Sequence, residues 1–131
     1  MKIKVDPLDV LFSQVVRARA NYTCEYCGQQ PKARGMHCSH FHSRRKKSVR
    51  WNLDNAACLC MGCHTYLDGN PYVHTEWFKK RLGSVKFEQL NIRAEMLVKA
   101  TPQFKAEIKA YLQEQLAKMG RAQSCRNTTE G

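Results

Sequence analysis

Leu8, Leu11, Phe12, Val15 and Val16 recur at helical spacing directly behind Asp6-Pro7. An aspartate at the cap and a proline at the first helical position are start signals. The pattern predicts a first helix over 7–20, its apolar stripe turned to a core and its end set by residues 21–23. A short strand is predicted over 36–41 and a return strand over 55–59, with 43–50 as a basic loop between them. Cys60-Met61-Gly62-Cys63-His64 opens a short helix that Gly69-Asn70-Pro71 stops. Beyond Tyr72 the period is helical. One piece covers 74–82 and stops at Gly83, and a second covers 84–100 with Val85, Leu90 and Leu97 among its apolar positions. A third follows the cap pair Thr101-Pro102, carries Phe104, Ile108, Tyr111, Leu112 and Leu116 on one stripe, and closes at Gly120. Residues 121–131 are polar and expected to be a disordered tail. The fold class is α+β.

Charge changes the picture from generic to specific. The chain has 131 residues, with 22 Lys and Arg against 11 Asp and Glu, a formal net charge of +11. That makes an acidic small-molecule substrate a poor expectation and a polyanion, nucleic acid above all, a better one. Hydrophobic residues at 43% support a modest core only. No apolar run approaches the ~20 residues of a membrane helix, and the N-terminal residues lack the apolar segment of a signal peptide. A cytoplasmic location is the expectation, with no membrane partner. There, seven cysteines point to metal rather than to disulfides.

Cys24-x-x-Cys27 and Cys60-x-x-Cys63 form two knuckles. Each such turn presents two sulfurs at one apex, and Zn²⁺ takes four ligands tetrahedrally. Gly28 suits the tight turn after the first knuckle. Four sulfurs close the shell, so the zinc is expected to be structural and to pin the intervening hairpin in a chain too short to hold it by core alone. An iron–sulfur cluster ranks lower, because no redox-partner motif is visible. Cys38 and Cys58 read as small core residues, and Cys125 as a free thiol in the tail.

Between and after the knuckles lie His37, His40, His42, Asn52, Asn55 and His64. His40, Asn55 and His64, with CxxC before and CxxCH after, resemble the HNH (ββα-metal) endonucleases in their zinc-ribbon form. Ser39-His40-Phe41-His42-Ser43-Arg44, with Cys60-x-x-Cys63 and then Leu67-Asp68-Gly69-Asn70, is most similar to the phage NinG/Rap group of recombination endonucleases. The resemblance covers 24–83. It implies a small ββα-metal core with a four-cysteine zinc ribbon, flanked by the N-terminal helix and the C-terminal helices. The division it suggests is a nuclease domain over 1–83, a helical extension over 84–120 and the tail. It also implies roles: His40 as general base, Asn55 as the residue that orients it, and His64 as a ligand to a catalytic divalent ion, Mn²⁺ or Mg²⁺, with Mn²⁺ favoured. The chemistry is coherent by itself. A neutral imidazole can take a proton from water near pH 7, and a divalent ion can stabilise the leaving oxygen of a phosphodiester. One departure is Ser39, where the family usually has a second ligand. Asp68, one turn past His64, or His42 could replace it. His37 and His74 read as bystanders.

Lys32, Arg34, Arg44, Arg45, Lys46, Lys47 and Arg50 lie between Tyr26 and Leu53 with no acidic residue among them. A loop of one sign beside a candidate nuclease site fits phosphate contact, and Arg44, Arg45, Lys46, Lys47 and Arg50 are its DNA-binding candidates. Trp51 and Trp77 read as core rather than as base-stacking residues. The expected activity is DNA phosphodiester hydrolysis by an enzyme carried by a phage or prophage in a bacterial host. A single His40/Asn55/His64 set favours a monomer that nicks one strand at a time. The alternative is a non-catalytic zinc-ribbon nucleic-acid-binding protein, which needs the cysteines and the charge but not the three His and Asn residues.

Overall fold

The computed structural model of the chain describes residues 3–30 and 35–130, with side chains described as far as residue 120. Helix α1 spans Pro7–Arg19, strand β1 His37–His40 and strand β2 Ala56–Leu59, the last preceded by a single 3₁₀ turn at Leu53–Asn55. Helices α2 (Met61–Asp68), α3 (Pro71–Leu82), α4 (Ser84–Ala94) and α5 (Pro102–Glu130) follow. The architecture is α+β: among the described residues, five helices and one antiparallel hairpin in which Cys38 faces Cys58 and His37 faces Leu59.

A two-stranded hairpin is marginal in water by itself. Here α1 and α2 cover it. Phe12, Val15 and Val16 of α1 meet Leu59 of β2, Leu67 of α2, Phe78 of α3 and Leu112 of α5 in one buried cluster. These are the apolar positions the helical spacing singled out in α1, and β2 is buried along its whole length. Among the described residues no helix is long and apolar enough to cross a membrane.

Three boundaries differ from the sequence reading by more than two residues. Helix α3 starts at Pro71, not at residue 74, because Pro71 takes the first helical position instead of acting as a stop. Helix α4 ends at Ala94, not at residue 100. The N–H groups of Glu95 and Met96 turn back three residues, to Ile92 and Arg93, in the tight geometry that closes a helix. Leu97, read as part of an apolar stripe, is fully exposed. Helix α5 runs through Gly120 to Glu130, past the predicted stop. One glycine costs a helix interior about 1 kcal/mol, too little to end it.

Asp9 holds α1 to the basic loop. It completes a capping box, its Oδ2 accepting from the Asp6 N–H at 2.8 Å while Asp6 Oδ1 accepts from the Leu8 N–H at 2.9 Å. The same carboxylate accepts from Arg50 at 2.6 and 3.1 Å and from Trp51 Nε1 at 2.9 Å. Burial raises the pKa of Asp9, but the Arg50 guanidinium and the N–H donors outweigh it and hold the group below its ordinary value. Arg50, expected to touch DNA, is therefore buried and committed to Asp9 and to the Lys4 carbonyl. Asp9→Ala should leave that guanidinium buried without its counter-charge and cost about 3–5 kcal/mol. The urea midpoint measures it, and a loss under about 1 kcal/mol would mean that Arg50 escapes to solvent.

Candidate metal centre and candidate active site

The two knuckles meet. The sulfurs of Cys24, Cys27, Cys60 and Cys63 all lie within 4.8 Å of one another. Each knuckle aims a backbone N–H at its own first sulfur, Cys27 N to Cys24 Sγ and Cys63 N to Cys60 Sγ, both at 3.4 Å. Gly28, at φ +79°, closes the first knuckle with its N–H on the Cys24 carbonyl, in a region of backbone space that favours glycine. Cys60 caps α2, so the second knuckle and the helix start are one structure.

The donor set fits a metal. Burial opposes ionisation of Cys24, yet N–H groups of Cys27, Cys60 and Tyr26 bring its thiol down to about 7. Burial, and then the crowd of neighbouring sulfurs, pushes Cys63 the other way. Four thiols that cannot all ionise side by side are what a divalent cation relieves. Cys38 and Cys58 stand outside the cluster. Burial pushes them up to about 12 and about 11, so they stay protonated core thiols. Glu25, inside the first knuckle, fastens it to the hairpin: its N–H reaches the Cys58 carbonyl, Oε2 accepts from the Cys58 N–H at 2.6 Å, and Oε1 accepts from Arg81 at 2.9 Å.

A second centre is an open cavity of about 590 Å³ lined by Asp9, His37, His40, Arg44, His64 and Asp68, among others. His40, on β1, stacks on Phe12 with ring centroids 5.6 Å apart. Its Nε2 is enclosed and has no partner. Burial, helped by the positive Arg44, lowers its pKa to about 4. His64 sits one turn into α2, between two neighbours: its Nδ1 lies 3.0 Å from Nδ1 of His37, and its Nε2 lies 3.3 Å from Asp68 Oδ2.

Asn55 is buried behind the cavity. Its Oδ1 accepts from the His42 N–H at 2.8 Å, its Nδ2 donates to the His42 carbonyl at 3.1 Å, and its own carbonyl accepts from the Phe41 N–H. It clamps the backbone just beyond His40 and makes no bond to the imidazole, so it is a positioning residue. His42 is directed elsewhere: its Nε2 lies 2.8 Å from Asn91 Oδ1 of α4, outside the cavity. Ser39 is buried. His74 is buried against Phe41 and Phe78.

Of the basic loop, Arg44 lines the cavity, 3.9 Å from Asp9. Arg45 and Lys47 are exposed, and Lys46 pairs at the surface with Glu95 at 3.1 Å. Lys32 and Arg34 lie outside the described residues, and the side chain of Cys125 is likewise not described.

His37, read from the sequence as a bystander, lines the cavity beside His64. The register supplies the missing signal. His37 faces Leu59, the residue before the Cys60 cap of α2, so it stands beside the first turn that carries His64.

The family model described as Bacteriophage Lambda NinG protein matches residues 5–121, which include the cysteine cluster and all of the cavity lining except Ile3. No curated protein and no solved structure matches the chain.

Proposed function

The chain belongs to the bacteriophage lambda NinG family, and we propose that it is a divalent-metal-dependent HNH-type endonuclease that nicks DNA in the cytoplasm of a bacterial host. The observation that carries this reading is the convergence of His40, His64, His37 and Arg44 on one open cavity, with Asn55 clamping the turn behind it. A structural zinc-ribbon binder would have no use for an enclosed, unpartnered imidazole beside a second histidine pair.

His40 acts as the base. Its Nε2 is enclosed, which leaves Nδ1 to meet water in the cavity. At neutral pH the ring is uncharged and able to accept a proton. Arg44 offers a cation to the phosphate. His37 and His64 would hold the divalent ion through their facing Nδ1 atoms. Asp68 then takes the role of a carboxylate orienting a metal-bound histidine through its far nitrogen, not that of a ligand. A bound ion supplies Lewis-acid relief of the charge that builds on the leaving oxygen. The zinc at the four cysteines holds the hairpin and α2 in register and takes no part in the chemistry.

Two imidazoles suit transition metals, whereas Mg²⁺ prefers oxygen ligands and keeps its waters. Mn²⁺, and with it Co²⁺ or Ni²⁺, should therefore support cleavage better than Mg²⁺ at equal concentration. The assay is supercoiled plasmid with purified protein and each metal. Open-circular product should accumulate before linear, because one protomer carries one site, and excess chelator should stop it. Plasmid that is shifted in a gel but left uncut under every metal would establish the binder instead. Linear product from the first time points would show paired sites, and higher activity in Mg²⁺ would show an oxygen-rich ligand set.

A further inference from the structure

A groove of about 650 Å³, sharing no lining residue with the cavity, lies between the first cysteine knuckle and α3. Tyr66 follows His64 by two residues, about 200° around the helix, and its ring stands beside Tyr26 of the groove. The groove is aromatic. Tyr26 stands edge-on to Trp77 at 5.5 Å and 6.1 Å from Tyr66. Tyr72 is 79% exposed, Tyr66 48% and Tyr26 38%. Trp77, which the sequence reading assigned to the core, is only half-buried and lines the groove. Lys79 and Lys80 form its rim, together with Glu76.

A fold gains nothing from holding so many rings in water, and a contiguous exposed apolar patch marks a binding surface. We propose that this groove binds an unpaired nucleic-acid strand, with bases stacked on Tyr72 and Tyr26 and phosphates on Lys79 and Lys80. Rings can stack on bases only where the bases have left a duplex, since paired bases hide their faces in the helical stack. Lysine at the rim argues for phosphate: lysine is depleted in protein interfaces, and the +11 charge of the chain opposes a second copy of itself. Glu76 repels phosphate locally and confines the backbone to the lysine edge. The inference rests on the reading of DNA as partner but not on catalysis. It adds a holding site for a single strand that shares no lining residue with the cavity.

The experiment is fluorescence anisotropy of a labelled oligothymidylate and of a blunt duplex of equal length, without added divalent metal. Tyr72→Ala should weaken single-strand affinity about tenfold or more and leave duplex affinity within about twofold, since stacking is worth about 1–3 kcal/mol per base. Tyr72→Phe should bind as the parent does. Lys79→Ala with Lys80→Ala should reduce the slope of log affinity against log salt by about 1.4, near 0.7 for each charge lost. The exposure of Tyr72 keeps its variants foldable. Unchanged single-strand affinity in Tyr72→Ala overturns the proposal, as does a dimer in sedimentation that Tyr72→Ala dissolves. Uncut plasmid with intact oligothymidylate binding would remove the nuclease reading and leave this one standing.

Discussion

Cys24→Ser or Cys63→Ser is expected to leave the chain unfolded or aggregated. A closed zinc site contributes about 10–16 kcal/mol of apparent binding free energy in small zinc-dependent folds. A whole domain is stable by only about 5–15 kcal/mol. The chain has little to offset such a loss. Its sheet has two strands of four residues, and the first knuckle reaches the sheet through Glu25, Cys58 and Arg81 alone among the hydrogen bonds described. When the cluster opens, Cys60 no longer holds the start of α2 against Cys24, and His64 loses its place beside His37. The zinc content and far-ultraviolet circular dichroism of the two variants measure the effect. His64→Ala is the control: it should stay folded with zinc bound, because its side chain lies outside the cluster. A soluble, zinc-free and cooperatively melting Cys24→Ser protein would remove zinc from the folding of this chain.

What the sequence disclosed and what it withheld divide along sequence distance. The period in Leu8, Phe12, Val15 and Val16 announced α1, and two CxxC turns announced a four-sulfur cluster, because both signals lie within a few residues of one another. Asp68 was placed next to His64 by helical spacing alone. The contacts that decide the rest join remote residues with no local pattern. Asp9, one turn past the Asp6 cap, carries no sequence signal that Arg50, far along the chain, is buried on it. His42 read as a spare imidazole gives no hint that Asn91 of α4 takes its Nε2. His37 read as a bystander gives no hint that its neighbour, His64, lies on the helix after the next strand. Composition gave the loop's charge, but burial alone separates Arg44, at the cavity, from Arg50, in the core.

His40→Ala should lower kcat/KM for nicking by about 10²–10⁴, the ordinary value of a positioned general base. Zinc content should be unchanged, since no bond runs from the His40 ring to the cysteine cluster. DNA binding should persist through the basic loop. The pH profile gives a second, sharper signature. Burial first, and the Arg44 charge next, bring His40 down to about 4, against 6.5 in the unfolded chain. The base is therefore already free at pH 6, and the acid limb of kcat/KM, which reports the free enzyme, should lie well below the ordinary histidine value. The same shift has a consequence for stability, with its sign fixed by proton uptake. Between about pH 4 and 6.5 the unfolded chain binds a proton at His40 that the folded chain refuses. Stability should thus rise with pH across that window, and His40→Ala should flatten the rise. Urea titrations at several pH values read this without any cleavage assay. A variant that cuts at the parent rate would take the base role from His40. A variant that is inactive but keeps the parent's pH dependence of stability would show instead that His40 titrates alike in the folded and unfolded chain, and the enclosed Nε2 would no longer support a ring held neutral by burial as the base.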